Sequence, residues 1–292
     1  MKRNLKIILS VDGGGIRGML PLVYLIELQR LLQVHKKKWT FPQIVDLVAG
    51  TSTGAVIGSA LTYADASHQP LFSPQSLLEL YKDRGKQVFD KERSKKHNEY
   101  PLKRLLEQSF GEIKLADFSK YFLFVSHDQK SDEPFLFTSD EKKYRNVNLS
   151  KALLACSAIK DYFPPVTLGP YELIDGIETA KNPSQIAYEY GKKYFPNDLI
   201  LLMSFGTGVI DEKKQDAIDK EAEAVHAALT EEARNNKKLV YYRFQPSIHY
   251  ANFEMDDTSP DNLMNLYKDA ALAVEKDAQS MQNMVRFIIE NK

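Results

Sequence analysis

Leu5-Lys6-Ile7-Ile8-Leu9-Ser10-Val11-Asp12-Gly13-Gly14-Gly15-Ile16-Arg17-Gly18 passes directly from a short apolar, β-branched run into a cluster of glycines. The apolar run reads as a buried strand, and the glycines as the tight loop that ends it. Leu22, Leu25, Ile26, Leu28 and Leu32 then recur at helical spacing through Gly18–Val34, with Pro21 tolerated in the first turn. Ile44–Ala49 is a second buried run, followed by Gly50-Thr51-Ser52-Thr53-Gly54 and the small-residue helix Ala55–Tyr63. Two strand–loop–helix units in succession predict an α/β fold, a parallel sheet with helices on both faces.

The rest of the chain extends this pattern. Tyr121–Ser126, Pro134–Phe137, Glu172–Ile174, Leu199–Phe205 and Leu239–Phe244 read as further strands, and Lys151–Ala158 as a short helix stopped by Pro164-Pro165. Asp211–Asn236 is charged and helix-favouring, and Asn262–Ile289 reads as one long closing amphipathic helix. Residues 64–100 differ: they are polar, hold a helical stretch over Ser76–Phe89, and carry the basic run Lys91, Arg93, Lys95, Lys96, His97. They read as an excursion from the sheet, a flap over a site, with the basic run on a solvated face or against anionic headgroups. No repeat, linker or break in composition divides the sequence, so 1–292 is expected to be a single domain.

Composition narrows the function classes. The 39 basic and 39 acidic side chains cancel, which argues against a dedicated nucleic-acid binder while leaving peripheral membrane contact open. Cys156 is the single cysteine, so no disulfide staples the fold and no zinc-site spacing is present. No signal-peptide pattern opens the sequence, and the apolar runs fall short of the roughly 18–20 residues of a membrane span. A soluble, cytoplasmic protein is expected, with signal-less export left open. Oligomeric state is not legible in the sequence.

Two constellations carry chemistry. The amides of Gly13, Gly14 and Gly15, next to a helix N-terminus, are suited to hold negative charge, either a phosphate or an oxyanion. Gly13-x-Gly15-x-x-Gly18 also fits a dinucleotide fingerprint, but no second strand ending in an acid follows, and no Gly-Lys-Ser/Thr makes a P-loop. A purely structural turn is the third reading. Gly50-x-Ser52-x-Gly54 fits a nucleophile on a sharp strand-to-helix turn, where Gly50 and Gly54 avoid clashes with crossing backbone; an N-capping serine is the bland alternative. Both loops follow parallel strands and therefore share the carboxyl edge of the sheet, which favours an oxyanion hole facing a nucleophile.

A serine hydroxyl needs a base within reach. His35, His68, His97, His127, His226 and His249 mostly lie in polar stretches without a loop motif. His249 follows a predicted strand, and the order Ser52…Asp175…His249 would match an α/β-hydrolase triad. Asp175-Gly176, after the apolar Leu173-Ile174, is the other candidate; a carboxylate serves as base once desolvation raises its pKa.

Taken together, Asp12–Gly18, Gly50–Gly54 and Asp175-Gly176 resemble the patatin-like phospholipase family. Ala155–Ala158, Tyr162–Pro165, Asn182-Pro183, Ser204–Gly208, Tyr242–Pro246 and Met255–Asp257 add to the likeness. The resemblance implies a three-layer α/β/α fold with a mainly parallel sheet, and hydrolysis of fatty-acyl esters of phospholipids, lysophospholipids or related lipids without metal or cofactor. It implies Ser52 as nucleophile, Asp175 as its sole catalytic partner, Gly13–Gly15 as oxyanion hole, and Arg17, Gly50, Gly54 and Gly176 in support, Arg17 by ordering the glycine loop. Ile177 stands where the family writes glycine or alanine, and Lys160 where it often has proline. A low-turnover lipid-binding or storage protein on the same fold is the alternative of a different class.

Overall fold

β1 (Leu5–Val11) buries both of its faces, which is what its unbroken apolar run requires of a central parallel strand. Leu5, Ile7, Leu9 and Val11 enter one core and Ile8 the other. The computed structural model describes residues 4–35, 37–64, 69–89, 100–160 and 162–292. β2 (Leu47–Thr51), β3 (Tyr121–Asp128), β4 (Glu133–Thr138), β5 (Val166–Leu168), β6 (Tyr171–Asp175), β7 (Leu199–Phe205) and β8 (Leu239–Phe244) complete an eight-stranded sheet in the order β5-β6-β3-β2-β1-β7-β8, with β4 on the other edge of β3.

β3, β2, β1, β7 and β8 run parallel, as the strand–loop–helix units predict. β4, β5 and β6 form an antiparallel arm that the sequence did not announce.

Helices cover both faces. α1 (Met19–Val34), α2 (Phe41–Ile44), α3 (Thr53–Thr62), α4 (Pro74–Val88), α5 (Tyr100–Phe110) and α6 (Leu149–Cys156) pack on the larger core. α7 (Ser184–Tyr194) and α8 (Ala217–Asn235) close the opposite face over Ile8, Leu47, Ala49, Leu123, Val125 and Leu202. α9 (Pro260–Lys276) and α10 (Ala278–Asn291) return to the larger core beside α1, giving the expected three-layer α/β/α arrangement. Among the described residues no helix is long and apolar enough to cross a membrane.

Some boundaries differ from the sequence reading. The strand expected from Ile44 begins only at Leu47, because the Thr40 amide donates to the Gln43 side-chain carbonyl and helps start the helical turn α2, with Pro42 near its beginning. The closing helix is two helices broken at Asp277, whose carboxylate accepts the Tyr24 hydroxyl of α1 at 2.6 Å. Both segments can then follow the surface of α1. The stretch expected as a flap contributes α4, packed on α1 and α3. The basic run Lys91–His97 lies outside the described residues.

Candidate active site

β3 brings the serine turn and the aspartate together. One edge of β3 pairs with β4 over Leu123–Asp128. The other edge takes β2 as far as Val125, opposite Thr51, and then β6 from Ser126, opposite Asp175. β2 is parallel to β3 and β6 antiparallel, so the two strands meet end to end. Ser52 and Asp175 are the residues at that junction. The Ser52 Oγ donates to Asp175 Oδ2 at 2.6 Å, and both side chains are buried.

Ser52 sits at φ 53°, ψ −125°, a conformation that a residue with a side chain adopts only when its surroundings enforce it. The constraint is visible on both sides. Thr51 Oγ1 donates to the Ala180 carbonyl at 2.7 Å, and the Ser52 carbonyl accepts the first bonds of α3 from Ala55 and Val56. A Cβ at Gly54 would strike the carbonyl oxygens of Val11 and Asp12, and one at Gly50 would strike the backbone of Gly54 and Ala55. The sharp turn therefore needs glycine where the motif writes it. The first amides of α3 have no acceptor within the helix and lie beside Ser52.

Asp175 is 1% exposed, and its burial pushes its carboxyl up to about 7, against the pull of hydrogen bonds from Ser52 and from the Ile177 amide. The Ile177 N–H donates to Oδ1 at 2.8 Å. Ile177 thus serves through its backbone, which any residue other than proline supplies, and its side chain is buried. Gly176 turns over the Val125 carbonyl, where a Cβ would collide.

The glycine loop is fastened mainly by residues far along the chain. Asp12 forms a buried two-pronged ion pair with Arg243, at 2.9 and 2.6 Å, and the guanidinium is held charged by that carboxylate although burial opposes it. Thr207 Oγ1 donates to the Gly13 carbonyl at 2.5 Å, and the Ile16 amide donates to the Met255 carbonyl at 2.9 Å. A Cβ at Gly14 would enter Thr207, and Gly15, at φ 56°, lies against Met255. These glycines admit close protein neighbours.

Gly13 departs from its expected role: its amide donates to the Lys181 carbonyl at 3.0 Å and is spent there. The amides of Gly14 and Gly15 have no hydrogen-bond partner among the described residues. Arg17 is buried with its guanidinium over the Phe253 ring, 3.8 Å from the centroid. Desolvation lowers its pKa to about 10, opposed by Asp219, Asp216 and Glu254. Lys181 forms a buried ion pair with Asp219 close by, and desolvation lowers its pKa, with Arg17 adding to the effect.

Among the described residues no histidine bonds to Ser52 or Asp175. His249 is exposed, and its amide donates to Asp269 at 3.1 Å, so the order Ser52…Asp175…His249 does not correspond to a bonded triad. Reading the sequence missed Arg243, Thr207 and Lys181 as partners of the glycine loop. Their signal was present in Tyr242–Pro246, Ser204–Gly208 and the segment before Asn182-Pro183, but nothing local to those stretches names the loop as their target.

Ser52 opens onto an apolar slot with a cavity volume of about 80 Å³, walled by α3, α4 and α5. Thr53, Val56, Leu77, Tyr81, Leu102 and Leu106 are among its lining residues. Apolar walls with few polar groups at one end are what an acyl chain with a reactive head requires.

The fold, the turn carrying Ser52 and the glycine loop define a three-layer α/β/α protein with a buried serine–aspartate pair at the carboxyl edge of its parallel strands. The Patatin-like phospholipase family model matches residues 9–188, more than half of the chain, and the chain belongs to that family. Patatin-like protein 2 of Arabidopsis thaliana is 28% identical over 245 residues, 70% of this chain and 60% of that protein. A second Arabidopsis relative, named probable inactive patatin-like protein 9, is 25% identical over 230 residues, covering 69% of this chain and 60% of that protein. This chain thus spans about three-fifths of the length of these curated relatives. Human GIVD cytosolic phospholipase A2 shares the fold, with a TM-score of 0.56 at 9% identity over 98% of this chain and 60% of that one.

Proposed function

We propose that the protein is a lipid acyl hydrolase of the phospholipase A or lysophospholipase type, working through a Ser52–Asp175 dyad. The observation that carries this reading is the 2.6 Å bond from Ser52 Oγ to a buried carboxylate whose pKa stands at about 7. A base poised near neutrality takes a proton at working pH and gives it back. Ser52 Oγ attacks the ester carbonyl carbon as its proton passes to Asp175 Oδ2. The amides of Gly14, Gly15 and Thr53 receive the oxyanion, an arrangement worth roughly several kcal/mol of barrier. Collapse breaks the ester C–O bond, and Asp175 returns the proton to the leaving oxygen. Water then attacks the acyl-enzyme, its proton passing to Asp175, and the fatty acid leaves as Ser52 recovers its hydrogen.

The slot supports an acyl group as the part of the substrate that is held, and phospholipid, lysophospholipid or another acyl lipid as its carrier. Membership of the family supports the chemistry but does not by itself require turnover. Release of p-nitrophenol from acyl esters, and of fatty acid from phospholipid vesicles, tests it: Ser52→Ala should lose at least about a thousandfold in kcat. Equal activity in variant and wild type would reject the dyad, and no activity in either would leave lipid binding without turnover as the reading.

A further inference from the structure

Resting on the proposal that Ser52 is acylated, we infer that Ala60 and Phe72 form the blind end of the slot and set the length of acyl chain it accepts. Ser52, Val56 and Ala60 are spaced four residues apart and share one face of α3 and its N-terminal cap, and all three line the slot. α4 lies antiparallel to α3 along this face. The hydroxyls of Tyr81 and Thr53 are in contact at the serine end, and the Phe72 amide donates to the Ala60 carbonyl at 3.2 Å at the other. The two contacts thus hold the Ala60–Phe72 side of the slot at a fixed distance from Ser52, while Gly85 and Val88 of α4 line it past Tyr81. Leu77 lines the wall between Phe72 and Tyr81, and Leu102 and Leu106 of α5 also line the slot.

The distance between the ends follows from helix geometry. Ala60 is eight residues beyond Ser52, a rise of about 12 Å at 1.5 Å per residue. An extended hydrocarbon advances roughly 1.3 Å per carbon, from C–C bonds of ~1.5 Å in a zigzag, so about eight to ten carbons span the slot. Ala60 is fully buried and small, so any larger side chain there projects into the channel. Phe72 is half-buried, so its ring can be trimmed with little cost to the core.

The test compares wild type, Ala60→Leu and Phe72→Ala on p-nitrophenyl esters from butyrate to palmitate. For wild type, kcat/KM should rise by about fourfold per methylene, the factor for burying one CH₂, and stop rising near about eight to ten carbons. Ala60→Leu should move the break to shorter chains and cut the ratio of decanoate to butyrate activity by more than about tenfold, two buried methylenes' worth. Phe72→Ala should move it to longer chains. Superimposable profiles for the three proteins, or a wild-type profile without a break, would overturn the assignment. Should Ala60→Leu fail to fold, Phe72→Ala decides alone.

Calorimetric binding of saturated fatty acids to the same proteins separates this inference from the hydrolase reading. A wild type that cleaves no ester but whose fatty-acid affinity shows the break, shifted by the substitutions, keeps the gauge and rejects the hydrolase. A wild type that binds no fatty acid, or whose length profile ignores both substitutions, rejects the gauge.

Discussion

Asp175→Asn should make the protein inactive and more stable, by an amount that depends on pH. The folded protein holds the Asp175 carboxyl at about 7, against 3.8 for an ordinary aspartate. An unfolded chain therefore gives up this proton near pH 4, and the folded one keeps it until about pH 7. Between those values the unfolded state binds fewer protons, so this group makes stability fall as pH rises, and the loss levels off above pH 7. About three pH units at 1.36 kcal/mol each give a penalty of about 4 kcal/mol in the fully ionised state. Asparagine has nearly the same shape and accepts the Ile177 amide, but it carries no charge at any pH. The variant should match wild type near pH 4 and exceed it by about 2–4 kcal/mol at pH 8.5. That corresponds to a melting temperature roughly 5–10 °C higher. Urea and thermal melts of both proteins from pH 4 to 9, with ester hydrolysis measured in parallel, provide the comparison. Wild-type kcat/KM should climb with pH and level off above about 7, as the base must be ionised to accept the serine proton. A stability difference that does not widen between pH 4 and 8, or an active Asp175→Asn, would refute the reasoning.

Arg243→Met should destabilise the protein by about 3–5 kcal/mol, because it leaves Asp12 buried without a counter-charge, and Asp12→Asn in the same chain should recover part of that loss in urea denaturation. Gly54→Ala should be poorly folded, or retain less than about a hundredth of the wild-type esterase kcat, since its methyl enters the Val11 and Asp12 carbonyls and displaces the Ser52 turn. His249→Ala should leave kcat within about twofold, as an exposed side chain outside a catalytic arrangement; a large loss there would restore the histidine to the mechanism.

Much of the framework was legible from local pattern. β1, β7 and β8 have the bounds that apolar, β-branched runs between turn residues indicate, and α1 follows the spacing of Leu22, Leu25, Leu28 and Leu32. The serine turn and the glycine loop announce themselves because a strained φ and close backbone packing accept few residue types, and those types appear in order. Parallel order at the centre of the sheet follows from alternating strands and helices.

Other features depend on partners distant in sequence. The antiparallel arm that sets β6 end to end with β2 is a matter of pairing along β3, and no local pattern in Tyr171–Asp175 encodes direction. Asp277, at the helix break, meets Tyr24 of α1, and the hold on Asp12 depends on Arg243, 231 residues away. The raised pKa of Asp175 is chiefly a product of burial, since the same Asp-Gly in a solvated turn would titrate as an ordinary carboxylate. The loss of Gly13 as a free amide is likewise decided by where Lys181 comes to rest. Sequence determined which groups the chain has for chemistry and which elements carry them. Tertiary structure decided which groups meet, because desolvation and hydrogen-bond geometry arise only when distant segments share one interior.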